Sequence, residues 1–248
     1  MAVRQPIKLE EDPIQEAIFE LRFQTEIAAL ADLLPGMIFP RVRDRFPQSE
    51  RLPSSFIPRE LQQTQPELRY QPRHKISGDA FSIGLGDFSV MLNTQRPYVG
   101  WEAFRPVILE LVGLVREFKV VSKLERFSLK YSNLLQAADA KERYELTDFA
   151  GHLGKVDLAR SLTQVRTEFD ESGFRHIVEL IGSAVVKNAK GESREGVYLA
   201  IDTICLDADG FFENPQKQLD AAHATEKAIF YSVLTDFAVQ LFKPVWAH

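Results

Sequence analysis

The chain has 248 residues, a net charge of −5 and one cysteine in a composition that is 45% hydrophobic and 26% charged. That length holds one large domain or two small ones and buries a core without metal or disulfide staples. A lone cysteine excludes a disulfide framework within the chain and a cysteine-based zinc site. The mild acidity gives no general drive toward nucleic acid, and neither half forms a basic arm. The first residues lack the apolar core of a signal peptide, and no apolar run reaches membrane-helix length. These features predict a soluble, cytoplasmic protein with no membrane contact.

Residues 1–13 are polar and carry Pro6 and Pro13, which reads as an extended lead-in. In residues 14–23, Ala17, Phe19, Leu21 and Phe23 share one face while Glu16, Glu20 and Arg22 share the other, so the period of two predicts a strand. Behind a Thr25 cap, Ile27, Leu30, Leu33 and Leu34 have helical spacing. Pro35-Gly36 is expected to interrupt that helix, with a second helical piece reaching Phe46. Residues 47–66 are rich in proline, serine and glutamine and predict a connecting segment with room for a short strand. Residues 68–76 and 81–93 alternate as strands joined at Ser77-Gly78-Asp79, with a bulge or bend at Gly84 and Gly86.

Residues 99–118 predict a long amphipathic helix, with Pro106 expected to delay its start to about Arg105. Alternation resumes through Leu124, Phe127, Leu129 and Tyr131. A short helix over 146–153 and strands over 162–169, 174–186 and 197–206 follow, with a hairpin turn at Glu171-Ser172-Gly173 and a polar loop over 188–196. A second long helix over 216–242 ends before Pro244. The fold class is therefore α+β, with antiparallel sheet or sheets each packed on a long amphipathic helix. Both halves, 1–121 and 122–248, repeat the order strand, excursion, strands, long helix. Phe19-Glu-Leu-Arg-Phe23 echoes Phe127-Ser-Leu-Lys-Tyr131 in the pattern apolar, polar, apolar, basic, aromatic. A tandem duplication of a β-α-β-β-(β)-α unit would explain that order.

The segment Pro13-Ile-Gln-Glu-Ala-Ile-Phe-Glu-Leu-Arg-Phe23, with Trp101 at the central helix and Leu124-Glu-Arg-Phe-Ser-Leu-Lys-Tyr-Ser-Asn133, resembles a sporadically distributed family of uncharacterised prokaryotic proteins of about this length. The matching positions include Glu16, Glu20, Arg22, Trp101, Arg126, Tyr131 and Asn133. They carry no catalytic signature, so the resemblance implies a kinship and no mechanism.

The reactive residues are scattered. His74, His152, His176, His223 and His248 show no metal-ligand spacing, so we expect neither a metal nor a cofactor. Asp207-Ala-Asp-Gly210 has Gln218 where a calcium loop needs glutamate, and Gly84-Leu-Gly86 precedes a strand rather than a helix. Cys205 reads as a buried strand thiol. Glu16 with Glu20, or Asp202 with Glu179, would do acid–base work only if paired as carboxylates; ion pairs with Arg22 or Arg126 are the plainer expectation. Arg41, Arg43 and Arg45, with Arg51, Arg59, Arg73, His74 and Lys75, form the one basic tract and the candidate patch for an anionic partner. The first functional reading is a non-enzymatic binding protein that works with a protein partner or as a homodimer. A small-ligand binder or enzyme with a pocket between sheet and helix comes second. Nucleic-acid or anion binding through the arginine tract comes third.

Overall fold

The computed structural model describes residues 5–95, 97–187, 191 and 193–246. Its first elements are β1 (Lys8–Leu9), β2 (Ile14–Gln24), α1 (Leu30–Val42), β3 (Gln48–Arg51), α2 (Arg59–Thr64) and α3 (Pro66–Arg69). Then come β4 (His74–Ser77), β5 (Phe81–Leu85), β6 (Ser89–Gln95), α4 (Trp101–Glu117), β7 (Lys123–Leu135) and α5 (Ala140–Arg143). The chain closes with β8 (His152–Leu153), β9 (Val156–Asp157), β10 (Gln164–Glu171), β11 (Phe174–Lys187), β12 (Ser193–Cys205), α6 (Pro215–Val233), α7 (Asp236–Leu241) and β13 (Pro244–Val245). The protein is α+β. Nine strands form one large sheet in the order β10-β11-β12-β7-β2-β6-β5-β4-β3, where the sequence had allowed two. Among the described residues, no helix is long and apolar enough to cross a membrane.

Two compact units divide the chain. One holds Ala17–Leu129 with Ile204–Ala221, so the expected boundary at residue 121 falls inside it. Within this unit β2 behaves as its alternation predicts: Ala17, Phe19, Leu21 and Phe23 are buried. Phe19 and Phe127 stack on Phe211, with centroids 6.4 and 4.4 Å from it. The α4 stripe is buried through Phe104, Ile108, Leu111 and Val115, and Phe104 stacks on Phe81 of β5 at 6.1 Å. Pro106 does not delay this helix, which starts at Trp101 behind Gly100, whose φ of 86° suits glycine.

Four local expectations are revised here. The helix α1 runs unbroken through Pro35 and Pro40, because burial of Leu30, Leu34, Ile38 and Val42 outweighs the hydrogen bonds that the prolines omit. Thr25 does not cap it; its hydroxyl accepts from Ile27 N, while Asp87 Oδ1 accepts from Ala31 N at 2.9 Å. Residues 81–93 form two strands, since Gly86 N bonds Ser89 O at 2.9 Å and closes a hairpin at Asp87-Phe88. A Cβ on Gly86 would lie 2.7 Å from Ser89 Oγ. Only His74–Ser77 of the strand expected over 68–76 exists, because Leu68 and Arg69 belong to α3 and residues 70–73 form the irregular connection from it. Asp87 also accepts from Arg59 Nε at 3.0 Å. Replacing Asp87 by alanine should therefore cost about 2 kcal/mol in urea unfolding, and asparagine should recover most of it by keeping the cap.

The other unit consists of Met1–Glu16, Lys130–Thr203 and Ala222–His248, as far as these are described. Its core joins Leu135, Val178, Leu199 and Ile201 of the strands to Ile229 and Phe230 of α6 and to Leu146, Leu234 and Phe242. Ser172 and Gly173, at φ 54° and 83°, make the two-residue turn between β10 and β11. The single closing helix expected over 216–242 is two helices. Thr235 breaks it, its Oγ1 accepting from Ala238 N at 3.1 Å to cap α7. The helix expected over 146–153 is absent, because Leu146 is drawn into the core and Thr147 bridges Leu234. Of the loop expected over 188–196, residues 188–190 and 192 lie outside the described residues, and β12 already begins at Ser193.

Candidate interaction edge

Much of the basic tract is engaged in ion pairs or hydrogen bonds. Arg41 makes a two-pronged ion pair with Glu117 of α4 at 2.8 and 3.0 Å, and Arg45 pairs with Glu110. Arg43 is exposed, and Lys75 lies 3.7 Å from Glu50 across β3 and β4. Arg73 is buried, its guanidinium donating to the carbonyls of Ile57 and Ser55 and to Gln62 Oε1. Arg59 is held by Asp32 and Asp87. These charges fasten the connection between α1 and β4 to its neighbours.

The positions of the family resemblance are likewise engaged in packing. Glu20 Oε2 receives Arg22 Nε at 2.7 Å and Arg126 Nη2 at 2.9 Å. The Arg22 guanidinium lies 4.2 Å above the Tyr70 ring, and the Tyr70 hydroxyl donates to Glu125 at 2.7 Å. Glu20 is thus matched by arginines rather than by a second carboxylate. Burial pushes the Glu16 carboxyl up, against the opposing influence of Lys130. Trp101 Nε1 donates to Asp220, which Arg105 also grips. Tyr131 lies 3.4 Å from His223 Nδ1, and Asn133 Nδ2 donates to Leu199 O. Glu179 accepts from Gln164, and Asp202 lies on β12.

Of the histidines, His74 is 3.5 Å from Asp32, His152 is exposed on β8, and His248 lies outside the described residues. His176 is fully buried with Nδ1 3.1 Å from Thr203 Oγ1, and burial lowers its pKa. Among the described residues no three His, Cys, Asp or Glu side chains cluster as metal ligands. Cys205 is buried as expected; its Sγ donates to Asp207 O, and burial pushes the thiol up.

What the sequence reading did not single out is the open edge at β10. This strand ends the sheet order and, among the described residues, has only β11 beside it, in the antiparallel register Gln164↔Ile181 through Glu171↔Phe174. Gly182 N donates to Thr163 O at 2.9 Å, and Glu171 closes the two-residue turn opposite Phe174. In an antiparallel ladder these contacts assign the bonds toward β11 to the odd-numbered residues. The backbone N–H and C=O of Gln164, Arg166, Glu168 and Asp170 therefore point outward. Seven of the eight residues of β10 are exposed, and Val165 is half-buried.

Register with β11 sorts the β10 side chains. Val165, Thr167 and Phe169 lie over Leu180, Val178 and His176, the Phe169 and His176 rings 5.5 Å apart. Arg166, Glu168 and Asp170 take the other face, where Arg175 of β11 reaches Asp170 at 2.9 Å and Glu168 at 3.6 Å. Beside the β10–β11 turn, a groove of about 430 Å³ runs between Glu171 and Ser172 and the α6 residues Ala224, Thr225 and Ala228. The local signal for an edge was present in the sequence, in charges and polar groups at Gln164, Arg166, Glu168 and Asp170. Against protein-family models and curated proteins, the chain finds no match.

Proposed function

We propose that the protein is a non-enzymatic interaction module that accepts an extended strand of a protein partner along the open edge of β10. The observation that carries this reading is the exposure of β10 at the end of the sheet with a row of backbone groups turned outward. Such an edge binds an added strand through main-chain hydrogen bonds, and alternate side chains supply the selectivity.

The strand order supports the same reading through the inferred tandem plan. Outward from β2 the order is β6, β5, β4; outward from β7 it is β12, β11, β10. Beyond β4 the first series continues with β3, paired antiparallel from Gln48↔Ser77 to Arg51↔His74. The second series stops at β10, so an added strand would take the place that β3 holds in the first.

Proline at Glu168 tests the reading, because the N–H there points away from β11 and its loss breaks no bond within the chain. A photoreactive benzophenone side chain at Thr167 should give a discrete crosslinked species in cells that make the protein. Adding Glu168→Pro should abolish it. A crosslink that survives the proline, or no crosslink at all, defeats the reading.

A second reading, a small-ligand site beneath α6, draws on the polar group that Tyr131 and His223 form there and on the buried Glu226. The interior described around Leu199, Ile201, Ile229 and Phe230 is apolar and packed, which favours the edge.

A further inference from the structure

We propose that the strand accepted by β10 is β10 of a second copy of this chain, paired antiparallel about a twofold axis at Thr167. The inference rests on the reading of β10 as the contact element and names its partner.

Backbone parity restricts the possible registers. Only Gln164, Arg166, Glu168 and Asp170 present outward N–H and C=O groups, so hydrogen-bonded pairs across the new edge must join two members of that set. A twofold axis through Thr167 pairs Arg166 with Glu168 of the partner subunit and Gln164 with Asp170 of the partner subunit, each pair occurring twice. Shifting the register by one step in either direction sets Glu168 against its own copy or Arg166 against its own copy. Like charges directly opposite are unfavourable and opposite charges favourable, so the charges select the Thr167-centred register among those that the backbone allows.

The side chains on the remaining face agree with that register. The odd-numbered residues fall in the non-hydrogen-bonded positions of the new pair, where facing side chains are closest. There Val165 meets Phe169 of the partner subunit, an aromatic against a β-branched residue, and Thr167 meets its own copy. Phe169 retains 36% of its exposure in the single chain, so this contact would cover apolar surface that is now in water. Charges on an edge strand ordinarily discourage pairing with other chains. Here their alternation in sign makes the strand complementary to itself, and an isologous contact of this kind closes at two subunits.

Charge exchange tests this directly. Sedimentation equilibrium from about 1 to 100 μM should show a reversible dimer of twice the chain mass. Glu168→Arg and Arg166→Glu should each weaken it by at least roughly tenfold, since each places two pairs of like charges in opposition. The double exchange, Arg166→Glu with Glu168→Arg, restores both pairs and should return the affinity to within about threefold of the parent. A monomer throughout, a dimer indifferent to the single exchanges, or a dimer that the double exchange fails to restore overturns the proposal. If the Thr167 crosslink joins a different protein and is lost with Glu168→Pro, the edge reading stands and the second copy is rejected. With neither a dimer nor a proline-sensitive crosslink, both fall.

Discussion

Phe211→Ala should destabilise the protein by about 3–5 kcal/mol, with a fall in Tm of roughly 10 °C. Phe211 lies in the polar stretch between β12 and α6, yet it is completely buried. Its ring stacks on Phe127 at 4.4 Å and on Phe19 at 6.4 Å, joining the first strand of its unit to β7. Its backbone N–H is fixed to Ala208 O at 3.1 Å, so the chain cannot readily follow a shortened side chain into the space left behind. Removal of the ring therefore loses both transfer free energy and stacking contacts. Phe211→Leu should cost well under half as much, because most of the volume is kept. Equal stability of the alanine and leucine variants in urea would show that the ring is not wedged between Phe19 and Phe127.

Phe211 also shows which parts of the fold the residue pattern can reveal. Strands announced themselves wherever one face meets the core: Ala17 to Phe23 in β2 and Phe127 to Tyr131 in β7 alternate because alternate side chains point to opposite faces. The Ser172-Gly173 turn was legible because few residues other than glycine sit well at its φ of 83°. Features decided by a distant residue were hidden. The helix α1 begins where Asp87, far along the chain, meets Ala31 N, and nothing near Leu30 records that. The last helix breaks at Thr235 because its N–H bonds Leu146 O and its hydroxyl bonds Glu145 O. The candidate edge was hidden for the same reason. Alternation identifies β10 as a strand, but its place at the end of the sheet depends on the order of all nine. The partners of Arg41 and Arg45 were hidden likewise: the run of local charge is plain, but the α4 acids that pair with these two arginines are remote in sequence.

The stability of the wild-type protein should fall as pH rises from about 4.5 to 8, with Glu226 the main contributor and Glu16, also raised by burial, acting in the same direction. Glu226 lies on the inward face of α6 with Ala222, Ile229 and Phe230, and burial pushes its carboxyl up to about 8, with Lys227 opposing weakly. The folded-state pKa is raised above the unfolded value, so between the two the folded protein holds a proton that the unfolded chain has released. Stability therefore declines with pH across that window and levels off above it. The decline attributable to this one group is about 3 kcal/mol between pH 5 and 7.5. His176, whose pKa burial lowers, acts with the opposite sign and only below about pH 6.5, where the unfolded chain takes up the proton first. Comparison with Glu226→Met separates the two, because methionine retains length and apolar contact without a charge. At pH 5 the two proteins should unfold at similar urea concentrations; at pH 8 the methionine variant should be higher in Tm by roughly 6–12 °C. Parallel pH profiles for parent and variant would place the Glu226 carboxyl in water rather than in the buried interior. The same experiment bears on the reading beneath α6, since a ligand bound there would have to satisfy a carboxyl that burial biases toward its protonated form. A hydrogen-bond acceptor would suit it and a cation would not.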